Sequence, residues 1–519
     1  MISTMSGLTK QVEQIKLTLK KIETNVSSVT YDEVISALNE IYTIIIAKKE
    51  REIKEIFSSL SFNTIILFLQ YEEIEDKIIK ILEEFIQFVS IEAIVDQYED
   101  FINIGLTNEK ENIVKLTLQE LINGIEKNSQ LCGVIATKFL DKIVNCFSLH
   151  VQSITKLVSK LMGEILSKNE VCLDLFLEKD SLNALQNQCN MSEVVKFTIY
   201  DLIVTISSVN DSNFEKCKKA GLFDSMINEI NSKDILVKLN TIELYIKLLS
   251  NKNLYNFFEK SEIMSKLIEK LKKDPKDENS NLEDKLFLHG IIKFFASLAD
   301  INMNSFIDIQ NKYDLLASLE NLFNEGDISS KEIVLITLGS IGSSYEGLKL
   351  IYNQKSLLNT VLDYYPSLSG NLKTVFLQNI SCILTLCKLS DDVEIMTQTI
   401  YQRIQGKPNT LKELLQIGNQ VFEESRISVY AVLKGIAVHN WGLKELDNSP
   451  EFIKFILDRS QESNRLGQDW KYSIIETMVI HPSSSKYVRP DTLVKFKVYL
   501  KQGPYYKYIE PKVVVKGAN

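Results

Sequence analysis

NFEKCKKAGLFDSMINEINSKDILVKLNTIELYIKLLS, residues 213–250, is the stretch in which the repeating unit of this chain is clearest. Its pattern predicts three helices within about forty residues. The first, Asn213–Ala220, ends at Gly221, because glycine reaches the left-handed conformation of a helix end without a steric penalty. The second helix covers Leu222–Ile230.

The third helix of this stretch is apolar on one side. It follows Ser232 and Asp234, either of which can cap its exposed N–H groups. Apolar residues then recur at helical spacing at Ile235, Leu239, Ile242, Ile246 and Leu249, and Leu236 and Tyr245 widen the stripe. A unit of this size cannot bury both of its apolar faces alone, so it is expected to stack between copies of itself.

Copies of the unit recur along the chain at a nearly constant period. The ends of the apolar third helices align at Ile125, Ile165, Ile206, Leu249, Leu298, Ile341, Leu386 and Ile436. Successive ends lie 40 to 50 residues apart, which is the period of armadillo and HEAT arrays. We therefore predict an all-α, armadillo/HEAT-like right-handed helical solenoid of about ten repeats with a C-terminal extended strap.

Three regions are expected along the chain. Residues 1–101 are predicted to form an N-terminal helical cap with divergent repeats, and residues 102–460 the repeat array. Residues 461–519, which hold four of the eight prolines, are predicted to form C-terminal capping helices, with one around 489–500, and an extended tail. The polar segment KKDPKDENSNLEDK at 272–285 is predicted to be an exposed loop.

Charge and composition exclude several classes of protein. A net charge of −9 and a pI near 5.4 argue against binding nucleic acid through phosphate neutralisation. Seven cysteines, an odd number without a Cys-x-x-Cys pair, indicate reduced thiols. No apolar run reaches the ~18 residues that a membrane span needs. We expect a soluble cytoplasmic or nuclear protein that contacts neither nucleic acid nor membrane.

No motif for catalysis is present in the sequence. The four histidines, at positions 150, 289, 439 and 481, have no partner at metal-ligand spacing. Phosphate-binding loops of the GxxxxGK[ST] type, GxGxxG turns and GxSxG elbows do not occur. We expect no catalytic, cofactor-binding or metal site. Without such chemistry, a solenoid is expected to present a long surface to another macromolecule.

The C-terminal part carries motifs beyond the repeat pattern, in VHNWGLKELDNSPEFIKFILDRS at 438–460 and VYLKQGPYYKYIEP at 498–511. Through these motifs the chain resembles the 26S proteasome non-ATPase regulatory subunit 5 family. The matching residues are Trp441, Asn448, Ser449, Pro450, Phe452, Asp458, Arg459, Lys471, Tyr472, Tyr499, Leu500, Gly503, Pro504, Tyr505 and Tyr506. The resemblance covers roughly 102–519, and Gly-Pro-Tyr-Tyr at 503–506 is its most specific element.

The resemblance implies a function in assembly. Members of that family are armadillo/HEAT-type chaperones of the proteasome regulatory particle. They bind an ATPase subunit of the base through its C-terminal domain, together with an associated base non-ATPase subunit, and leave before the mature 26S particle forms. By this resemblance the chain is a monomer by itself. It uses a concave face as a clamp and its bulk as a block against premature docking.

Two questions stay open at the level of sequence. The family-matching residues Trp441, Asn448, Pro450, Phe452, Arg459, Gly503, Pro504, Tyr505 and Tyr506 either strap the open face of the last repeat or contact the partner. The repeats alone equally fit a generic armadillo/HEAT scaffold for transport or tethering. An enzyme would instead require a pocket with convergent titratable groups.

Overall fold

The computed structural model describes two compact units, 1–229 and 230–519. The residues described are 15, 17, 20, 30–47, 56, 75–88, 94–95, 99–189, 192–249, 252–272, 281–386, 390–405 and 409–506. Throughout these ranges the regular secondary structure is helical, without a strand. The all-α prediction is confirmed.

The first unit is a succession of short and long helices. Its α-helices are α1 (Tyr31–Ile46), α2 (Glu75–Phe88), α3 (Glu99–Leu106), α4 (Glu111–Lys127), α5 (Leu131–Asn145), α6 (Gln152–Lys168), α7 (Glu170–Phe176), α8 (Lys179–Cys189), α9 (Glu193–Ser207), α10 (Asp211–Lys219) and α11 (Leu222–Asn228). The long helices α4, α6 and α9 pack side by side in that order.

The second unit repeats the same arrangement more regularly. Its α-helices are α12 (Ile235–Leu248), α13 (Lys252–Lys260), α14 (Ile263–Leu271), α15 (Leu282–Ile301), α16 (Met303–Tyr313), α17 (Leu315–Glu325), α18 (Ile328–Gly342), α19 (Tyr345–Gln354), α20 (Ser356–Tyr364), α21 (Gly370–Leu384), α22 (Asp391–Gln405), α23 (Asn409–Gly418), α24 (Glu423–Ala437), α25 (Asn440–Asp447), α26 (Pro450–Leu457), α27 (Arg465–Ile480), α28 (Ser484–Tyr487) and α29 (Pro490–Gln502).

The long helices of the second unit form one continuous row. Each of α12, α15, α18, α21, α24 and α27 packs against the next, and α29 packs on α27. The first helices of successive repeats, α16, α19, α22 and α25, form a second row behind them. Each repeat therefore contacts mainly its neighbours, which is the organisation of an armadillo/HEAT-like array.

The predicted repeat register is confirmed. Each of the eight predicted third-helix ends falls within three residues of the C-terminal end of a long helix in the structure. The row also continues one helix further than the sequence pattern revealed, since α27 packs on α24 in the same way. The helix predicted around 489–500 is α29.

Two predicted helix boundaries in residues 213–250 are confirmed, one at a helix end and one at a helix start. Gly221 follows α10 with φ of +71°, in the left-handed region. Asp234 caps α12, where its side chain accepts a hydrogen bond from the backbone N–H of Leu236 at 2.7 Å. Residues with a short polar side chain or without Cβ thus set the helix boundaries.

The predicted apolar stripe of α12 is only partly right. Leu236 was expected to widen the buried side, but it is 67% exposed, whereas Tyr245 is fully buried. Leu239 and Ile242 face the next long helix, where a Cβ at Gly290 would crowd both side chains. The apolar residues of α12 belong to two different faces of the helix, because α12 packs against both α13 and α15.

Glycines in α18 permit close approach of the next long helix. Gly339 and Gly342 could have indicated either close packing or an early helix end. The helix continues to Gly342, and a Cβ at Gly339 would crowd Asn379 of α21, while one at Gly342 would crowd Ile383. Close packing is therefore the reason for these glycines.

Buried tyrosines also join successive repeats. In the second unit their hydroxyl groups donate to glutamates that follow later in the chain, in the pairs Tyr365–Glu413 at 3.2 Å, Tyr401–Glu445 at 3.4 Å and Tyr430–Glu462 at 2.9 Å. Each pair satisfies a hydroxyl that would cost free energy if it were buried without a partner.

Several expectations concern residues outside the described ranges. These are most of region 1–101, the centre of the 272–285 loop and the tail beyond residue 506. The three-region division therefore stays a prediction. None of the helices in the described ranges is long and apolar enough to cross a membrane.

Candidate functional site

Trp441, on α25, packs against α22 of the preceding repeat. It is 8% exposed, and its indole Nε1 donates to Thr397 Oγ1 at 3.1 Å. Its ring stacks on His439, with ring centroids 5.6 Å apart, and lies 5.1 Å from Tyr401. These contacts hold α25 against α22 of the preceding repeat.

Asn448, Pro450 and Phe452 form the turn between α25 and α26. The backbone N–H of Asn448 donates to the carbonyl of Lys444 at 3.0 Å, which closes α25. Ser449 then caps α26 by accepting from the N–H of Phe452 at 3.1 Å, and Pro450 takes the first helical position. Phe452 is fully buried, whereas Asn448 and Pro450 are exposed.

Arg459 ties the Gly-Pro-Tyr-Tyr segment to the last repeats. Its guanidinium donates to the backbone carbonyls of Gly503 at 2.8 Å, Pro504 at 3.1 Å and Tyr499 at 3.0 Å. The guanidinium carbon also lies 3.5 Å from the centroid of the Tyr499 ring. One side chain thus satisfies the C-terminal carbonyls of α29 and holds the chain after it.

Tyr505 and Tyr506 are less enclosed. The hydroxyl of Tyr505 donates to the carboxylate of Asp469 on α27 at 2.7 Å, while the side chain stays 50% exposed. Tyr506 is 41% exposed. The segment is therefore fixed to α27 but offers two aromatic rings to solvent.

Arg459, Pro504 and Tyr506 border a groove of about 700 Å³, here called the C-terminal groove, whereas Trp441 and Phe452 do not. Its lining residues are Leu457, Arg459, Ser460, Glu462, Ser463, Gln468, Lys471, Lys495, Val498, Tyr499, Gln502, Pro504 and Tyr506. Three of them are cationic and only Glu462 is anionic. The groove is thus locally basic in a chain with a net charge of −9.

Lys471 is a buried residue of this groove's wall. It is 1% exposed, and its ammonium donates to the backbone carbonyl of Asp458 at 2.6 Å. The ammonium also lies 4.9 Å from the ring centroid of Phe455. Burial lowers the pKa of Lys471 to about 8, although the carboxylates of Asp458 and Glu462 oppose this shift.

Glu462 is the buried acid of the same cluster. Its carboxylate accepts from the guanidinium of Arg426 at 3.0 and 3.1 Å, from the hydroxyl of Tyr430 at 2.9 Å and from the backbone N–H of Asn464 at 3.1 Å. Burial alone would raise its pKa, but these hydrogen bonds outweigh burial and the pKa is lowered.

Sequence reasoning missed the role of this cluster. Lys471 was noted only as a family match, and Glu462 was not singled out. A signal was available, because Lys471 interrupts the apolar positions of α27 that include Ile474, Ile475 and Met478. A lysine at a core position of a helix needs a partner or a ligand.

A second candidate surface is the solvent side of the long helices α18, α21, α24 and α27. This long-helix surface comprises the exposed or half-buried residues Ile336, Ser340, Val375, Gln378, Cys382, Ile427, Ala431, Lys434, Trp470, Ser473 and Thr477. Lys434 is the charged residue of this set, and its ammonium lies 5.6 Å from the Trp470 ring centroid. Further exposed or half-buried acids on the same helices flank the set, namely Glu332, Glu423, Glu424, Asp469 and Glu476.

The long helices α12 and α15, which precede this surface, carry more charged residues on their exposed side. On α12 and α15 the exposed side includes Glu243, Lys247, Lys293 and Asp300. Depletion of charge at the centre of an exposed surface is typical of the core of a protein–protein interface. The long-helix surface of α18 to α27 thus has the composition of such a core.

His439, at the start of α25, is a buried titratable group. It is 1% exposed, and its Nε2 donates to the carbonyl of Leu384 at 2.7 Å. Burial lowers its pKa, against the opposing effect of the Leu384 carbonyl and the Glu394 carboxylate, while the charge of His481 lowers it further. The neutral imidazole is therefore the form that the fold favours.

We expect stability to fall as the pH drops below about 6.5, the pKa of an unfolded histidine, because the unfolded chain then binds a proton that buried His439 resists. A His439→Gln variant should lose less of its melting temperature between about pH 7.5 and about pH 5.5 than the wild type. Equal losses in both proteins would assign the acid sensitivity to other groups.

The described residues hold no group of three or more His, Cys, Asp or Glu side chains placed to bind a metal ion. Every cysteine whose side chain is described is a free thiol, namely Cys132, Cys146, Cys172, Cys217 and Cys382. Only Cys382 is exposed.

Solved structures share this fold. A crystal structure of a Kap121p mutant aligns with 95% of this chain and 51% of its own, at a TM-score of 0.51 and 10% sequence identity. The chain thus spans about half the length of that protein. At this identity the similarity concerns the fold alone.

Proteins of similar sequence say more about the family of this chain than the similar fold does. The 26S proteasome non-ATPase regulatory subunit 5 of Mus musculus is 25% identical over 451 residues, which cover 85% of this chain and 87% of the relative. The protein of the same name from Homo sapiens is 24% identical over 449 residues, with the same coverage.

A family model described as proteasome non-ATPase 26S subunit matches residues 13–519. The match begins well before residue 102, where the resemblance had been expected to start. The suspected relationship is therefore confirmed over nearly the whole chain. With its helical repeat array and its C-terminal motifs, this chain belongs to the proteasome non-ATPase 26S subunit family.

Proposed function

We propose that this protein is a chaperone for assembly of the base of the 26S proteasome regulatory particle. It binds the C-terminal domain of an ATPase subunit of the base, accompanied by a base non-ATPase subunit, and is absent from the mature particle. It acts in the cytoplasm or nucleus, by binding and release without covalent chemistry. The observation that carries the proposal is the family match over residues 13–519.

The long-helix surface supports the binding mode. A folded domain is held best by a surface that is rigid and sparsely charged at its centre. The side chains from Ile336 to Thr477 meet this requirement, since they lie on helices packed in a continuous row. Charged residues on α12 and α15 would then lie at the rim and guide orientation.

The Gly-Pro-Tyr-Tyr segment has a separate role in this proposal. Arg459 and Asp469 hold it to the last repeats, so it closes the array at its C-terminal end. Terminal repeats need such closure because one of their faces lacks a neighbouring repeat.

The test is an affinity pull-down from cell lysate, followed by native gel separation of base subassemblies from complete 26S particles. We expect proteasome ATPase subunits to copurify in subassemblies, with the protein absent from the complete particle. Recovery with complete particles would contradict a role limited to assembly. Recovery without any proteasome ATPase would favour a general scaffold.

A surface variant should separate binding from folding. Ile336→Glu places a charge on the long-helix surface, where Ile336 is 43% exposed. We expect copurification of the ATPase subunit to fall about tenfold or more, as for a charge buried in an interface core.

The matched control is Ile395→Glu on α22, a helix outside the long-helix row, where Ile395 is 59% exposed. It makes the same chemical change on another surface and should leave copurification intact. Equal loss in both variants, or in neither, would exclude the long-helix surface as the binding site.

A further inference from the structure

We propose that the C-terminal groove is a second binding site, which receives an acidic segment of a partner protein and places one carboxylate against Lys471. The site is distinct from the long-helix surface, because its lining includes residues of α29 and the Gly-Pro-Tyr-Tyr segment. The proposal does not rest on the proposed function.

The first argument is the unfilled hydrogen-bonding capacity of Lys471. An ammonium carries three N–H donors. Among the described residues, this one donates a single hydrogen bond, to the Asp458 carbonyl, and faces the Phe455 ring on another side. A side chain only 1% exposed that keeps a free donor at a groove wall is poised for an acceptor from a ligand.

The second argument is charge complementarity. Glu462, the acid of the lining, is already neutralised by two hydrogen bonds from Arg426, which lies outside the groove. Arg459, Lys471 and Lys495 remain as three positive charges of the lining, and the Asp458 carboxylate near Lys471 offsets one of them. The net field of the groove therefore favours an anion.

The third argument is the shape and polarity of the walls. Leu457, Val498, Tyr499, Pro504 and Tyr506 provide apolar and aromatic surface on the way to Lys471. A volume of about 700 Å³ accommodates several side chains rather than a single inorganic ion. A peptide segment that combines apolar side chains with a carboxylate fits both properties.

The probe is N-acetylphenylalanine, which combines an aromatic ring, an amide and a carboxylate. Its uncharged amide serves as the matched control ligand. Binding to the full chain is measured by saturation-transfer NMR. We expect the acid to bind at least tenfold more tightly than the amide, because a hydrogen bond to a charged group at a desolvated site has this effect.

Two variants locate the binding. Lys471→Met removes the ammonium with little change in volume, and it leaves the Asp458 carbonyl without its donor, so the melting temperature is measured alongside binding. We expect about tenfold weaker binding of the acid, measured at a temperature at which the variant is folded. Lys495→Met, at an exposed position, should weaken binding about twofold without any effect on folding. Lys501→Met, exposed on the same helix and outside the lining, should bind as the wild type does.

The pH dependence provides a readout that a purely structural lysine would not affect. With the pKa of Lys471 lowered to about 8, affinity for the acid should fall as the pH rises from about 7 to about 9. The charged groups around the ammonium are Arg459, Asp458 and Glu462. Hydrogen bonds lower the pKa of both carboxyl groups, so Asp458 and Glu462 stay ionised in this range.

Three outcomes would overturn the proposal. Equal binding of acid and amide, or of wild type and both lining variants, would show that Lys471 does not recognise a carboxylate. Binding of inorganic phosphate in place of N-acetylphenylalanine, at matched ionic strength, would indicate an inorganic anion site. Binding that occurs only after removal of residues 507–519 would identify the chain's own C-terminal segment as the occupant. Because none of these assays contains proteasome subunits, they are independent of the assembly proposal.

Discussion

Glu462→Ala should destabilise the C-terminal repeats by about 3–5 kcal/mol, the usual cost of breaking a buried ion pair by removing one partner. The substitution leaves the guanidinium of Arg426 and the hydroxyl of Tyr430 without their shared acceptor. It also frees the backbone N–H of Asn464, which precedes α27. The loss is measured by hydrogen exchange of α24 and α27, because a repeat array need not unfold in one step.

The control for this variant is Glu476→Ala on the exposed side of α27, which should change stability by less than about 0.5 kcal/mol. The double variant Arg426→Met/Glu462→Leu removes both charges and should recover much of the loss. If the double variant is as unstable as Glu462→Ala, buried charge is not the cause. The lowered pKa of Glu462 also predicts that its contribution, present above about pH 4.3, is lost as the pH falls further.

Gly442→Ala should destabilise the protein by about 3 kcal/mol or more, at the upper end of the cost of overpacking. A Cβ at this position, the third residue of α25, would overlap the backbone carbonyl of Ile436 at the end of α24. A backbone carbonyl cannot rotate away as a side chain can, so the two helices would have to separate. Thermal unfolding combined with hydrogen exchange of α24 and α25 measures the effect.

The same geometry recurs two array positions earlier and provides an internal replicate. A Cβ at Gly347, the third residue of α19, would overlap the carbonyl of Ile341 at the end of α18. Gly347→Ala should therefore behave like Gly442→Ala. Gly163→Ala is the matched control, because its Cβ would lie 3.7 Å from Leu202, an ordinary contact. It should stabilise α6 by about 0.5–1 kcal/mol. Destabilisation by Gly163→Ala as well would exclude the carbonyl overlap as the reason.

The third residue in the first helix of a repeat, as in α19 and α25, is restricted by the carbonyl at the end of the preceding long helix. At the corresponding place in α10 stands Asn213, whose side chain donates to the carbonyl of Ile206 at 3.3 Å. Glycine and asparagine are different solutions to one constraint, the carbonyl at the end of the preceding long helix. The aligned positions Ile206, Ile341 and Ile436 carry these carbonyls, whereas in the sequence they are recognisable only by their apolar side chains.

Sequence alone was sufficient for the fold class, the repeat period and most helix ends. These properties depend on residues close together in the chain, such as Asp234 before α12 and Gly221 after α10, and on an apolar period that survives variation at single positions. The family relationship was also accessible, because motifs such as Gly-Pro-Tyr-Tyr are contiguous.

The tertiary structure was needed for the faces and the sites. The exposure of Leu236 could not be predicted, since a long helix packs on several sides and each side contributes apolar residues to one pattern. Arg459 lies about forty residues before the carbonyls that it binds, and Glu462 lies 36 residues after Arg426. Partners this distant are brought together only when one repeat stacks on the next. Periodicity therefore determined where the helices are, while packing decided which side chains meet and which groups stay open to a ligand.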